Sequence, residues 1–278
     1  MCSWPWEWAK PMGALMKDGS ISTIGLFAVY VIIAIFSLLN YWSVKLLTSF
    51  TSLISVFKLG VPLLTIIMLM ISGFDTNNYG HSASAFMPYG SAPIFAATTT
   101  SGIIFSFNAF QTIINMGSEI KNPEKNIARG IAISLTLSAI LYIVLQSTFI
   151  TSMPSSMIHE HGWNGINFNS PFADMAILLG INWLAILLYV EAVVSPFGTG
   201  VSFVAVTGRV LRAMEKNGHI PKFLGKMNEQ YNIPRVAIVF NAIISMIMVT
   251  LFRDWGTLAA VISTATLVAY LTVTTTVF

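Results

Sequence analysis

The chain has 278 residues, of which 55% are hydrophobic and 9% are charged. Soluble domains carry about 25% charged residues, so this composition excludes an ordinary soluble protein. The formal net charge is only +3, and no basic patch with interleaved aromatic residues is present, which argues against a nucleic-acid partner. Because several apolar stretches reach about twenty residues, we predict an all-α polytopic membrane protein.

Seven transmembrane spans are predicted in chain order. They lie near 21–41, 46–73, 94–117, 127–150, 174–211, 236–252 and 256–278. The fifth is too long for one straight crossing of a hydrocarbon core of roughly 30 Å. Pro196, Gly198 and Gly200 offer a position for a bend within it.

Basic residues mark alternate loops, and they set the orientation. Lys45 follows the first span, three basic residues lie at 121–129 and six lie at 209–235, whereas 74–93 and 151–173 contain none. The positive-inside rule places the basic loops in the cytoplasm. The predicted organisation is therefore an extracytoplasmic segment (1–20), two helices (21–73), an outer loop (74–93) and five helices (94–278).

Lys58 lies in the middle of the second span, far from either end. An ionised side chain at that depth costs about 3 kcal/mol on insertion scales, so its presence indicates an ion, proton or substrate path. Pro62 follows four residues later, and its ring displaces the carbonyl of Lys58 from the helical hydrogen-bond pattern. The alternative is a lysine that extends along its stem to the membrane interface.

The third predicted span is rich in small and polar residues at mid-depth, at 98–102 and 106–111. This composition weakens a continuous helix. Irregular backbone is tolerated in a membrane where it lines a cavity or is buried in protein, and transporters use such breaks to contact substrate. The alternative is ordinary helix packing through small residues.

No cofactor or metal site is predicted. The single cysteine, Cys2, cannot form an internal disulfide. The four histidines lie in predicted loops, and His159 and His161 lack the i, i+4 spacing of a helical zinc pair. Lys58 and Glu191 are the ionisable residues deep in the spans, and they do not form a nucleophile and base, so we expect no enzymatic activity.

Three motifs resemble the amino acid-polyamine-organocation (APC) permeases. FSFNAFQ at 105–111, followed by GSEIKNPEKNIARG at 117–130, resembles the sixth helix of that family and its next cytoplasmic loop. GRVLRAMEKNGHIPKFLG at 208–225 resembles the loop after the eighth helix. Lys58, within VFKL at 56–59, is similar to a lysine in the fifth helix of many members.

The resemblance implies a partial LeuT-like fold. Such permeases usually have twelve helices, of which the first ten form two inverted five-helix repeats. The seven predicted spans match helices four to ten, so the second repeat is complete and the first keeps its last two helices. The first helix of the family supplies half of the substrate site, which implies that the missing helices or a second permease chain are partners.

The resemblance also implies a substrate site in the third span. Phe105 would close over the substrate, and the main chain of 105–108 would bind its ammonium group. Ala109 stands where many members have glycine. Gln111, two residues later, stands where many have glutamate, and a glutamine cannot supply that charge. The implied substrate-binding residues are Phe105, Ser106, Phe107, Asn108, Ala109 and Gln111.

Glu191 is the acidic residue deep in an apolar span, and a titrating carboxyl there could carry a coupled proton. Ser195, Thr199 and Ser202 follow it at helical spacing. In the family, helix eight approaches helix five where sodium-coupled relatives bind sodium, and Lys58 would take that cation's place. This favours proton coupling or exchange. The alternative for Glu191 is a structural ion pair with Lys58.

The expected function is secondary active transport of amino acids across the cell membrane, as proton-coupled symport or exchange by alternating access. The expected partners are the amino acid substrate, protons and the lipid bilayer. The stretch EAVVSPFGT at 191–199 is similar to a branch that includes aspartate-proton symporters, which suggests an acidic substrate. The alternative functions are a channel and a transport-incompetent fragment or partner subunit of a larger permease.

Overall fold

The computed structural model describes residues 14–17, 20–42, 44–80, 82, 86–87, 89–100, 103–107, 110–115, 117, 120–168, 170–228 and 233–276. At 42, 44–51, 98–100, 104–105, 111, 255, 267 and 270–276 the description covers the backbone and not the side chain. The described part of the chain is almost entirely helical.

The described helices are α1 Thr23–Trp42, α2 Val44–Ser72, α3 Ala92–Thr100, α4 Ile103–Ser106, α5 Gln111–Asn115, α6 Pro123–Ser152, α7 Ser155–Gly165, α8 Pro171–Leu178, α9 Asn182–Lys216, α10 Arg235–Leu251 and α11 Trp255–Thr276. Long connections, 73–91 and 217–234, follow α2 and α9, and the other helices are separated by shorter ones. A 3-10 helix, Thr76–Tyr79, follows α2. Ahead of α1, the two-residue strands β1 (Met16–Lys17) and β2 (Ser20–Ile21) pair antiparallel.

Four helices of the described part are long and apolar enough to cross a membrane. They are Thr23–Tyr41, Ser52–Ser72, Pro123–Ser152 and Asn182–Lys216. Two shorter apolar helices cover Arg235–Leu251 and Gly256–Thr266. The prediction of a mostly helical multi-pass membrane protein is confirmed, and the number of seven spans stays a prediction.

The predicted fifth span, 174–211, differs from the observed helices. It is divided between α8, which ends at Leu178, and α9, which begins at Asn182. Gly180 lies between them with φ 75°, a conformation that glycine adopts without the steric cost of a Cβ atom. The interruption is therefore at Gly180, while α9 continues through Pro196, where the sequence suggested a bend.

The chain forms two compact units, residues 45–202 and residues 1–44 together with 203–278. In the first unit, the core joins the end of α2 to α6, α8 and the start of α9. Leu69, Met175 and Leu184 are fully buried there. Phe149 on α6 packs edge-on against Phe172 on α8, with ring centroids 5.5 Å apart. This core fixes the end of α2 against the helices that follow it in sequence.

Asn78, in the 3-10 helix, caps the end of α6. Its side-chain amide donates to the carbonyls of Ile150 and Met153, at 2.9 Å and 2.8 Å. The last carbonyls of a helix have no partner within the helix, so a side-chain donor at this point satisfies them. The Asp75 backbone N–H adds a hydrogen bond of 2.8 Å to the carbonyl of Thr151.

Replacing Asn78 with alanine is expected to destabilise the protein by about 1–3 kcal/mol, because two carbonyls at the end of α6 lose a donor. Asn77→Ala is the matched control, since it removes the same side chain from an exposed neighbouring position. Thermal unfolding in detergent measures the difference. Equal melting temperatures for the two variants would show that the Asn78 cap contributes nothing.

In the second unit, α1 and α10 pack antiparallel. The Ile21 backbone N–H donates to the carbonyl of Arg253 at 2.9 Å, and the hydroxyls of Tyr30 and Thr250 hydrogen-bond to each other. At the other end, the Arg235 guanidinium lies over the ring of Tyr41, 4.3 Å from its centroid. As the residue number rises from Ile21 to Tyr41, the number of the contacted residue falls from Arg253 to Arg235. The two helices are therefore antiparallel.

Asp254 caps the start of α11 in the second unit. Its carboxylate accepts hydrogen bonds from the Thr257 backbone N–H at 2.8 Å and from the Thr257 hydroxyl at 2.9 Å. These bonds hold the pKa of the Asp254 carboxyl below its usual value, and the backbone hydrogen bond has the larger effect. The stabilisation is therefore present above the pKa of the unfolded chain and is lost as pH falls through the folded-state pKa.

Candidate functional site

Lys58 lies on the buried face of α2. Ile54, Val61, Thr65 and Leu69 on that helix are between 0% and 4% exposed, and their spacing places them on one side. Lys58 follows Ile54 by one turn and precedes Val61 by nearly one turn, and its side chain is half-buried. The helix therefore directs the lysine toward its own protein unit.

The Lys58 ammonium donates a hydrogen bond to the hydroxyl oxygen of Thr199 on α9. The Thr199 hydroxyl in turn donates to the carbonyl of Ser195 at 3.1 Å. An ammonium group has donors and no acceptor, whereas a hydroxyl has both, so this order satisfies each group. One turn further along α9, the Ser202 hydroxyl donates to the carbonyl of Gly198 at 2.9 Å.

Glu191 is half-buried on α9, two turns before Thr199. Its charge attracts the Lys58 ammonium. No ion pair within 4.0 Å joins these two residues, both of which lie in the described part of the chain. The structure thus brings Lys58, Ser195 and Thr199 into one hydrogen-bonded group, with Glu191 close enough for an electrostatic interaction and Ser202 on the next turn.

Gly198 allows α2 and α9 to approach closely. A Cβ atom added there would lie 2.6 Å from Cγ2 and 2.8 Å from Cδ1 of Ile54, closer than real Cβ contacts. Ile54 is one turn from Lys58, and Gly198 is next to Thr199. The glycine therefore sets the separation across which the lysine reaches the threonine. Sequence reasoning assigned Gly198 to a helix bend and missed this packing role.

We expect Gly198→Ala to destabilise the protein by about 1–3 kcal/mol through overpacking against Ile54. Gly60→Ala on α2 is the matched control, because no atom lies within 4 Å of the added Cβ. Thermal unfolding in detergent compares the two. Because Ile54→Ala alone leaves a cavity, the Gly198→Ala/Ile54→Ala double variant should lose less stability than the sum of the two single variants. A Gly198→Ala variant as stable as Gly60→Ala would contradict the close approach.

Three of the described helices, α3, α4 and α5, lie in the predicted third span. Helix α3 ends at Thr100, α4 covers Ile103–Ser106, and α5 begins at Gln111. Phe107 lies in a turn directly after α4. The sequence indicated that this span does not form one continuous helix, and the described residues agree with that.

Tyr142 on α6 contacts the turn after α4. Its hydroxyl donates to the carbonyl of Ser106 at 3.5 Å, and its ring meets that of Phe107 edge-on, with centroids 5.4 Å apart. Sequence reasoning did not single out Tyr142. A tyrosine in the interior of an otherwise apolar span was the available signal, because a phenol in an apolar environment usually needs a hydrogen-bond partner.

Some of the predicted site residues, or their side chains, lie outside the residues that the structure describes. Asn108 and Ala109 lie outside the described residues, as do the side chains of Phe105 and Gln111, whose backbones are helical in α4 and α5. Where side chains are described, no three His, Cys, Asp or Glu residues come together as metal ligands would.

A multi-pass membrane protein with an interrupted span and a lysine on a buried helix face has the features of a transporter. The family model described as amino acid permease matches residues 12–278. The chain therefore belongs to the amino acid permease family, and the resemblance to the APC permeases is confirmed.

Several individual relatives are also named as amino acid transporters or permeases. Glutamate/serine transporter AimA of Bacillus subtilis (strain 168) is 47% identical over 272 residues, which is 98% of this chain and 50% of the relative. Aspartate-proton symporter of the same organism is 35% identical over 93% of this chain and 49% of the relative. Branched-chain amino acid permease BcaP is 26% identical over 91% and 51%. This chain spans about half the length of these relatives.

Proposed function

We propose that this chain takes part in secondary active transport of amino acids across the cell membrane, by proton-coupled symport or exchange with alternating access. The observation that carries the proposal is the hydrogen bond between Lys58 and Thr199, which joins α2 to α9 in a member of the amino acid permease family. A lysine held on the buried face of a spanning helix costs stability, and such residues are typical of ion and substrate paths.

The proposed substrate site is the main chain of 105–108 with the side chain of Phe105, extended by Ala109 and Gln111. Two observations support this site. Helix α4 ends at Ser106, and Tyr142 contacts both Ser106 and Phe107. Carbonyls at an interrupted helix suit the ammonium group of an amino acid. Since two relatives are named for glutamate/serine and aspartate, we propose an acidic amino acid as the substrate.

The proposed coupling group consists of Lys58 and Glu191 as separately titrating residues, with Ser195, Thr199 and Ser202 as hydroxyl partners along α9. Thr199 rather than Glu191 holds the ammonium directly, which supports separate roles for the two charges. A relative named as an aspartate-proton symporter supports the choice of protons as the coupled ion.

For the whole fold we propose a partial LeuT-like arrangement of seven transmembrane helices. In this arrangement, 21–73 forms the end of the first repeat and 94–278 forms the complete second repeat. The segment 1–20 and the loop 74–93 lie on the outer side. Alternate loops rich in lysine and arginine support this orientation.

Uptake into proteoliposomes tests the proposal. Radiolabelled glutamate, aspartate and serine are offered with and without an inward proton gradient, and leucine serves as the substrate control. The chain is tested alone and joined to the part of the AimA transporter that it does not match. Saturable uptake of an acidic amino acid, lost on addition of a protonophore, is expected. Gradient-independent, non-saturable flux from both proteins would contradict a carrier and indicate a channel.

A second candidate is a transport-incompetent segment or partner subunit that acts only with further permease helices. Its support is that the chain spans about half the length of its relatives. In that case the chain alone would show no saturable uptake, whereas the joined protein would transport. Uptake by the chain alone at the rate of the joined protein would exclude this candidate.

A further inference from the structure

A groove in the unit of residues 1–44 and 203–278 lies where the end of α1 meets the start of α10. It is an open groove with a volume of about 360 Å³. Apolar and aromatic side chains form most of its walls, and Arg235 lies at one end as the first residue of α10. The apolar and aromatic lining residues include Tyr41, Phe223, Leu224, Val239, Phe240 and Ile243.

The groove has a charged end and an apolar length. Ile243 follows Arg235 by eight residues, which corresponds to about 12 Å along the helix. Val239 and Ile243 are each about half exposed, so the length of the groove is open along α10. A ligand that fits this shape has an anionic head beside Arg235 and a hydrocarbon chain beside Val239 and Ile243.

Tyr41 orients the cation at the head of the groove. The central carbon of the Arg235 guanidinium lies over its ring, 4.3 Å from the centroid, and the arginine is half-buried. A guanidinium held against an aromatic ring retains its positive charge for an anionic group. The contact with Tyr41 reduces the side-chain freedom that phosphate binding would otherwise remove.

The loop next to the groove is positively charged, which suits an anionic head group. Six basic and two acidic residues lie at 209–235, including Lys222 and Lys226 close to the groove in sequence. The positive-inside rule places this loop on the cytoplasmic side, where the leaflet is rich in anionic lipids. Basic pockets between spanning helices on this side are suited to phospholipid head groups.

We propose that this groove binds an anionic phospholipid of the cytoplasmic leaflet, with the phosphate on Arg235 and one acyl chain along Val239 and Ile243. Inorganic phosphate would satisfy the arginine and leave the apolar walls uncovered. A phospholipid covers both, because its head and its chain follow the same order as the two ends of the groove.

Native mass spectrometry of the full chain in detergent tests this site, with dioleoyl phosphatidylglycerol and dioleoyl phosphatidylcholine titrated separately. Arg235→Gln is expected to weaken phosphatidylglycerol retention about tenfold, since a charge-assisted hydrogen bond is lost. Lys216→Gln is the matched control, because it removes the same charge from an exposed position at the end of α9. It should leave retention unchanged, and phosphatidylcholine should bind weakly to all three proteins.

Two further variants separate lipid binding from a loss of folding. Val239→Trp fills the groove and keeps the arginine, so it should weaken phosphatidylglycerol retention as Arg235→Gln does. Arg235→Lys keeps the charge and should retain more lipid than Arg235→Gln. Thermal unfolding of each variant in lipid-free detergent establishes that it is folded. Equal retention of the two lipids by the unaltered chain, or retention that neither substitution changes, would overturn the proposal.

A titration with inorganic phosphate tests whether the site binds free phosphate instead of a lipid head group. If phosphate alone raises the melting temperature of the unaltered chain and not of Arg235→Gln, while phosphatidylglycerol retention is the same in both, the site takes free phosphate and the lipid proposal fails. None of these measurements depends on transport, so they test the groove whatever the outcome of the uptake assays.

Discussion

Lys58→Met is expected to reduce proton-driven amino acid uptake by about 10- to 100-fold, as the loss of a charge-assisted hydrogen bond of about 1.5–3 kcal/mol implies. Methionine keeps a flexible apolar stem and removes the ammonium that Thr199 accepts from. The buried face of α2 is otherwise apolar or hydroxylated around this position, so the stem remains compatible with its surroundings. The effect is measured as the initial rate of amino acid uptake into proteoliposomes. The chain alone or the joined protein is used, whichever transports.

Thr199→Val tests the same hydrogen bond from α9. Valine has the shape of threonine without the hydroxyl, so Lys58 keeps its charge and loses its described acceptor. We expect a smaller loss, of about tenfold or less. Lys125→Met, at an exposed position near the start of α6, is the control for removing a basic residue. Unchanged uptake in Lys58→Met would exclude a role for this lysine in transport.

Glu191→Gln is expected to abolish the stimulation of uptake by an inward proton gradient. Glutamine has nearly the same shape as glutamate and cannot gain or lose a proton, so a carboxyl that carries the coupled proton is lost while the packing of α9 is kept. Exchange of labelled against unlabelled substrate, which needs no net proton movement, should continue. The measurement compares gradient-driven uptake with exchange across a range of external pH.

Glu160→Gln on α7 is the control, because Glu160 is exposed. If the pH dependence of uptake is the same in Glu191→Gln as in the unaltered protein, Glu191 is not the proton carrier. If both Lys58→Met and Glu191→Gln leave uptake and its pH dependence intact, the whole coupling assignment fails. Recovery of uptake in the double variant would instead show that the two charges act as a neutralising pair.

The position of Lys58 was predictable from the sequence, whereas its partner was not. A charge inside a long apolar run has a large energetic cost, so one residue is conspicuous without any structure. Its acceptor, Thr199, lies 141 residues away in the chain. Ser195, Thr199 and Ser202 share a helix face by spacing alone, and that spacing does not say which hydroxyl meets the lysine.

The sequence indicated an irregular third span, and it did not indicate the interruption within the fifth. In the third span, polar and small residues weaken the helix locally, and that signal is in the sequence itself. In the fifth, Pro196 offered a position for a bend; α9 continues as a helix through Pro196, and an interruption lies at Gly180. Both residues permit an interruption. The packing of α8 and the start of α9 into the core around Met175 and Leu184 favours the one at Gly180.

The sequence by itself determined the membrane class, the helical content, the depth of Lys58 and the resemblance to permeases, because each depends on composition or on residues close together in the chain. The tertiary structure decided the contacts of Gly198 with Ile54, of Tyr142 with Phe107 and of Arg235 with Tyr41. Each joins residues that are far apart in the chain. Such contacts depend on how helix faces are rotated and how closely the axes approach, and neither quantity is expressed in local sequence spacing.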